Sequence, residues 1–301
     1  MTEKTSFLSG DSFCAAWLTL PTGSGPFPTI VLVHGGGATH DMKLEQYETA
    51  FSERGFAVLS FDFRHLGESG GEPRQLMSIS RYLEDIEAAI HFAKNHPQLD
   101  ASQVALWGTS FGASHALVAS ARHPELKAVV VQCPMLRGRS PALASGLTSV
   151  LRLTFPILSD IGRQVFGLPR KYVALVGNPG DPAFVTVPGA LAGWQSVMPE
   201  GYRFDNRITA ASGISTLFYD ASKYARDVQC PLLVCISDRE TLMDPAIAVQ
   251  VARDAKFGKA IHYEADHFQV YHSPVFDQMI EDQISFFAKN FEPANSLAVS
   301  R

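Results

Sequence analysis

Short apolar runs with almost no polar interruption recur along this chain, alternating with longer stretches in which apolar residues return every three or four positions. "TIVLVHGGG", "AVLSFDF", "QVALWG", "KAVVVQCP" and "CPLLVCIS" are runs of the first kind, and they suit strands buried on both faces. "DMKLEQYETAFSERGF" places Leu44, Tyr47 and Phe51 at helical spacing, with Gly55 as a stop. "ISRYLEDIEAAIHFAKNHP" puts Tyr82, Ile86, Ala89, Ile90 and Ala93 on one helical face and ends at Pro97. "FGASHALVASARHP", a segment from about Pro245 to Ala255 and "PVFDQMIEDQISFFAKNF" read as further helices, with "AIHYEA" as a last strand. Strands alternating with long helices predict right-handed parallel crossovers, hence an α/β fold with a mostly parallel twisted sheet and helices on both faces. Ahead of it, "TSFLSGDSFCAAWLTLP" predicts a hairpin about Gly10-Asp11.

The alternation stops between about Met135 and Gln229, where the chain is irregular and rich in Pro, Gly and scattered aromatics. This predicts a core made of residues 1–134 and 230–292, an inserted lid or cap at 135–229 over one end of the sheet, and a disordered tail at 293–301. A length of 301 residues, 46% of them apolar, suits one large domain carrying such an insertion.

Charge and cysteines narrow the function classes. A net charge of −5 without a basic block argues against nucleic acid as a partner. No apolar run has the ~18 residues of a membrane span. "MTEKTSFLSG" lacks the basic and apolar regions of a signal peptide. Cys14, Cys133, Cys230 and Cys235 form no C-x-x-C, and no His-rich cluster suggests a metal. The expectation is a cytoplasmic protein with no cofactor and a small-molecule partner, a homodimer being left open.

Gly108-Thr109-Ser110-Phe111-Gly112 fits G-x-S-x-G between a strand and a helix. There the serine occupies a sharp, strained turn, and only glycine fits two positions to either side. A neutral serine is a weak nucleophile and needs a base, which in turn needs an orienting acid. His267, in "HYEADHFQVYH" before the last helix, is placed for the base; His34, His115, His123, His262 and His272 are placed less well. The acid comes from "LLVCISDRETLMDP", where Glu240 fits best and Asp238 stays as the alternative. Asp244 reads as the N-cap of the helix at Pro245. "VHGGGATH" supplies side-chain-free backbone, so the N–H groups of Gly36 and Phe111 are candidates for an oxyanion hole. A dinucleotide loop is excluded by the missing third glycine of G-x-G-x-x-G and by His34.

"VLVHGGG", "SFDFRHLGESGG", "WGTSFGA", "LLVCISDRE" and "ADHFQVY" together resemble the α/β-hydrolase superfamily, over nearly the whole chain except the insertion. The chain is most similar to dienelactone-hydrolase-like and fungal polyketide hydrolase/transferase-like members. The resemblance implies an α/β-hydrolase fold and a Ser110–His267–Glu240 triad that cleaves a carboxylic ester or thioester through an acyl-enzyme. Glu240 stands where many members have Asp, and Ser110 where some transferase-like members have Cys, which leans toward hydrolysis. Acyl or polyketide transfer and non-catalytic ligand binding are the alternatives. Asp62 and Arg64 are expected to tie their loop together. Gly37, Trp194 and Phe184, with Tyr202 and Phe218, are candidates to shape the substrate site, and "LASGLTSVLRLTFPILSDIGRQVFGL" is apolar on more than one face.

Overall fold

A two-residue turn at Gly10-Asp11 joins the first two strands, β1 (Thr2–Ser9) and β2 (Ser12–Thr19), in antiparallel register. The computed structural model describes residues 1–291, so the tail expected at 293–301 lies outside the described residues. The chain continues through β3 (Phe27–Val33), α1 (Leu44–Ser52), β4 (Ala57–Phe61), α2 (Ile79–Asn95), β5 (Leu99–Thr109), α3 (Ser110–Arg122) and β6 (Val129–Gln132). Next come α4 (Arg139–Ser145), α5 (Leu147–Val165), β7 (Tyr172–Val176), β8 (Ala183–Val185), α6 (Ala190–Ser196), β9 (Arg207–Thr209) and α7 (Ser212–Phe218). The alternation then resumes with β10 (Leu232–Ser237), α8 (Pro245–Asp254), β11 (Gly258–Tyr263) and α9 (Val275–Asn290).

Eight strands form the main sheet in the order β1-β2-β4-β3-β5-β6-β10-β11. From β4 to β11 every pairing is parallel, and only β1–β2 and β2–β4 are antiparallel. The inner parallel strands are apolar where both faces are covered, whereas the edge strand β11 (GKAIHY) is largely exposed. Tyr82, Ile86, Ala116, Leu117 and Val251, from α2, α3 and α8, pack on one face. Tyr47, Phe51, Met279, Ile284 and Phe287, from α1 and α9, pack on the other. Burial of this kind stabilises by roughly 25 cal/mol per Å² removed from water.

Residues 135–229 depart from the expectation of irregularity. They hold four α-helices and a separate three-stranded sheet, β8-β7-β9. Most of these elements are three to seven residues long, too short to display a period in the sequence. The exception is α5, which is apolar on two faces. Val150, Leu153 and Ile157 line an internal hollow, while Leu147, Leu151, Phe155 and Leu158 are exposed. The segment is fastened internally by buried Asp160, which takes both Nε and Nη2 of Arg170 and the N–H groups of Lys171 and Ala211. It is fastened to the core where Met77 N–H donates to Ser212 Oγ (3.1 Å) and Thr209 N–H to the Gln75 carbonyl (3.0 Å). Among the described residues no single helix is long and apolar enough to cross a membrane.

Candidate active site

The turn from β5 into α3 explains the glycines around Ser110. Ser110 has φ 54°, a left-handed conformation that costs a side-chain-bearing residue about 1 kcal/mol or more. A β-carbon on Gly108 would stand 2.7 Å from the Gly112 carbonyl oxygen, and one on Gly112 would stand 2.2 Å from that of His34. Both contacts are with backbone, which cannot swing aside. The Met135 N–H, donating to the Ser110 carbonyl at 2.9 Å, holds the turn from the next strand's loop.

Three side chains from separate loops meet here. His267 Nε2 lies 3.0 Å from Ser110 Oγ, and His267 Nδ1 lies 2.7 Å from Glu240 Oε2. An ionised carboxylate only accepts, so Nδ1 carries the proton and Nε2 is left to accept the serine hydroxyl. The other oxygen of Glu240 accepts the N–H groups of Thr241 (2.9 Å) and Leu242 (2.8 Å), which fixes the carboxylate's direction. The imidazole and the carboxylate are each 3% exposed, so water competes little for either bond.

The other histidines and acids weighed for these roles have other partners. Asp238 pairs with His262 at 2.6 Å, and His272 Nε2 meets Ser196 Oγ at 3.1 Å. His123 bridges Glu87 and Glu125, and His115 is fully buried with Nδ1 against the Tyr219 hydroxyl. His34 donates its Nδ1–H to the Gly35 carbonyl at 2.9 Å, and burial keeps its charged form unfavourable. Asp244 caps α8 through the Ala246 N–H. Asp62 accepts the N–H groups of His40 and Glu68, tying its loop as expected, while Arg64 reaches Asp85, Glu84 and Asp11. All four cysteines are free and buried, and burial pushes the Cys133, Cys230 and Cys235 thiols up to about 12.

A hollow of about 120 Å³ opens beside Ser110 under the 135–229 segment. Gly36, Phe111, Leu153, Leu175, Phe184 and Trp194 are among its walls, and the lining is almost wholly apolar. The Phe111 N–H sits in the first turn of α3, where no intrahelical acceptor exists. Gly36 packs directly on Phe111, since a β-carbon there would be 3.1 Å from the ring. A second, smaller hollow of about 40 Å³ lies on the other side of Ser110, bordered by His34, Gly35, Met42, Trp194, His267 and Phe268.

Three expected pocket residues are placed elsewhere. Gly37 (φ 69°) is covered by Leu175, whose Cδ2 would be 2.3 Å from a β-carbon there, so Leu175 forms the wall. Tyr202 turns its hydroxyl to Thr39 Oγ1 at 2.7 Å, and Phe218 is 78% exposed at the end of α7. Sequence reading also missed Tyr271, in a 3-10 turn just after His267, whose hydroxyl bonds Thr109 beside Ser110. Beneath it, Gln132 and Gln283 link Tyr47 and Trp107 in a buried chain of hydrogen bonds. An isolated Gln in an apolar run was the signal for that chain, but its partners come from α1 and α9, far away in sequence.

A family model described as "Serine aminopeptidase, S33" matches residues 25–279. The "Quorum-quenching protein AidA" of Acinetobacter baumannii is 33% identical over 283 residues, covering 94% of this chain and 93% of that protein. A polyketide transferase of Aspergillus fumigatus is 33% identical over 243 residues, 76% of this chain and 77% of its own length. Among solved structures, the α/β hydrolase GrgF from Penicillium sp. superposes with a TM-score of 0.81, covering 97% of this chain and 99% of that one. At 19% identity that likeness speaks to the fold alone.

Proposed function

The chain belongs to the serine aminopeptidase S33 family of α/β-hydrolases, and from that membership we propose that it cleaves a small carboxylic ester or thioester with an apolar acyl group, through an acyl-enzyme on Ser110. The observation that carries this reading is the hydrogen-bonded line Glu240–His267–Ser110, ending at the mouth of an apolar hollow. His267 Nε2 takes the proton as Ser110 Oγ attacks the carbonyl carbon and the C–O π-bond opens to an oxyanion. The imidazolium, stabilised by Glu240, then returns that proton to the departing alcohol or thiol. Water, deprotonated by the same imidazole, attacks the acyl-serine and releases the acid and the free hydroxyl. Proton transfer of this kind contributes about 10² to 10⁴ in rate.

The N–H groups of Gly36 and Phe111 receive the oxyanion, each worth about 3 kcal/mol of barrier. The acyl chain occupies the larger hollow beneath α5, with Phe184 and Trp194 in its walls and residues 135–229 serving as the lid. An aminopeptidase would need an acid to grip the substrate's amino terminus. The larger hollow has no carboxylate among its described lining residues, which favours an apolar acyl group over a peptide.

A second reading keeps the acyl-enzyme and passes the acyl group to an alcohol or thiol. The smaller hollow on the other side of Ser110, open to His267, favours it, as does the likeness to a protein named a polyketide transferase.

Labelling with a fluorophosphonate tests the nucleophile: wild-type protein should label and Ser110→Ala should not. Equal labelling of both would remove Ser110 from the reaction. Hydrolysis of p-nitrophenyl butyrate with and without alcohol acceptors then separates the two readings, transesterified product marking transfer.

A further inference from the structure

We propose that two copies of this chain pair through the outer face of α5, antiparallel about a two-fold axis that crosses the helix between Phe155 and Leu158. Leu147, Leu151, Phe155, Leu158, Val165 and Phe166 each keep between 62% and 79% of their surface open. At helical pitch they share one arc of about 100°, and the charged residues Arg152, Asp160 and Arg163 all fall outside it. The opposite face is used internally, where Val150, Leu153 and Ile157 line the larger hollow. A helix that is apolar on both faces calls for a neighbour on both. Together the six side chains expose roughly 800 Å², more than the few hundred Å² of an ordinary monomer's patch and about what each partner buries in a stable interface.

Gly162 lies on the same arc. Glycine inside a helix costs about 1 kcal/mol relative to alanine. Its φ is not left-handed, and a β-carbon there would touch nothing within 4 Å among the described residues, so nothing inside the molecule requires its bareness. A second helix packing closely against it does. The order of side chains along the arc also fits itself in reverse. With the axis between Phe155 and Leu158, Leu147 lies opposite the partner's Phe166, Leu151 opposite the partner's Gly162, and Phe155 opposite the partner's Leu158. A large side chain thus meets the one bare position on the arc. A lipid surface has no use for that match, and an anionic one repels a chain of net charge −5. The pairing is independent of the chemistry at Ser110, but it would hold each α5 between its own hollow and the partner's helix.

Sedimentation velocity on the full-length protein, from about 1 to about 50 µM, should reach twice the 32.8 kDa chain mass. Gly162→Leu has open space in the single copy, so it should keep the wild-type melting temperature while raising the dimer dissociation constant at least about tenfold. Phe155→Asp should weaken the dimer at least as much. Copper-phenanthroline oxidation of the Leu151→Cys/Gly162→Cys double variant should yield a disulfide-linked dimer. Leu151→Cys alone should not cross-link, being about 16 Å along the helix from its own symmetry mate, and the four native cysteines are buried. Wild type that stays monomeric at about 50 µM overturns the pairing, whatever the variants do. So does a dimer that Gly162→Leu and Phe155→Asp both leave intact, or a dimeric double variant that fails to cross-link. Monomeric wild type that floats with phosphatidylcholine vesicles, and no longer does so as Phe155→Asp, would give this face to lipid and overturn the pairing equally.

Discussion

Asp238 bonds His262 at 2.6 Å, while Glu240, two residues further on, bonds His267 at 2.7 Å. The split follows from sheet register. Ile236 pairs with His262 and Ser237 with Tyr263, and the Asp238 N–H still donates to the Tyr263 carbonyl. Asp238 therefore remains a neighbour of β11 and meets the histidine of that strand. Glu240 has left the sheet and folds back on its own following N–H groups toward His267.

Glu240→Gln should consequently lower kcat by about 10³ to 10⁴, since an amide no longer enforces the Nδ1–H tautomer. Asp238→Asn should stay within about twofold of wild type, because its partner is an exposed histidine. Steady-state hydrolysis of p-nitrophenyl butyrate decides this, and the reverse ranking would exchange the two acids.

Gly112→Ala should destabilise the protein by about 3 kcal/mol or displace Ser110, because the new methyl meets the His34 carbonyl rather than a movable side chain. Denaturant melts measure the first effect and fluorophosphonate labelling rate the second. A variant normal in both would show that this turn tolerates bulk.

Tyr271 and Thr109 join the loop of His267 to the turn of Ser110 through one buried hydrogen bond. Tyr271→Phe should reduce kcat about tenfold with little change in KM. Thr109→Ala should do the same, and the double variant should be no worse than either single one. Additive losses would mean that the two side chains act separately.

Leu153→Trp should fill part of the 120 Å³ hollow and shift preference toward short acyl chains. The octanoyl-to-acetyl ratio of kcat/KM should fall at least about tenfold. An unchanged ratio would place the acyl chain somewhere else.

His115 makes stability fall in acid. Burial holds its folded-state pKa down to about 3, against 6.5 in the unfolded chain. Above pH 6.5 both states are neutral and stability is complete. Between 6.5 and 3 the unfolded chain takes up the proton first, so stability drops by about 1.4 kcal/mol per pH unit. His115→Leu should flatten thermal melting temperature over that window, and Tyr219 would keep its bond to the Ser114 carbonyl. Identical acid slopes for wild type and variant would assign the sensitivity to other groups.

The strands, the covering helices and the three residues brought together at the site could be read in the sequence because each obeys a local rule. Buried parallel strands are continuously apolar, α2 repeats at helical spacing, and Gly108 and Gly112 mark a turn in which bulk collides with backbone. Choosing Glu240 over Asp238 needed the end of β10, which a sequence leaves uncertain by a residue or two. The 135–229 segment was opaque, since its short elements are held by Asp160–Arg170 and by contacts to Gln75 and Met77 that no period records. That Gly37 lies under Leu175 and Phe218 faces outward is illegible in sequence for the same reason: whether such a residue faces inward depends on what packs over it.

The left-handed backbone at Ser110 sets usefulness against durability. Glycine accepts that conformation freely, so Ser110→Gly should melt higher than the working protein while doing nothing. Random libraries screened only for robustness would drift toward such inert sequences. Engineering of this scaffold should therefore select for turnover first and recover thermal margin at positions remote from the elbow.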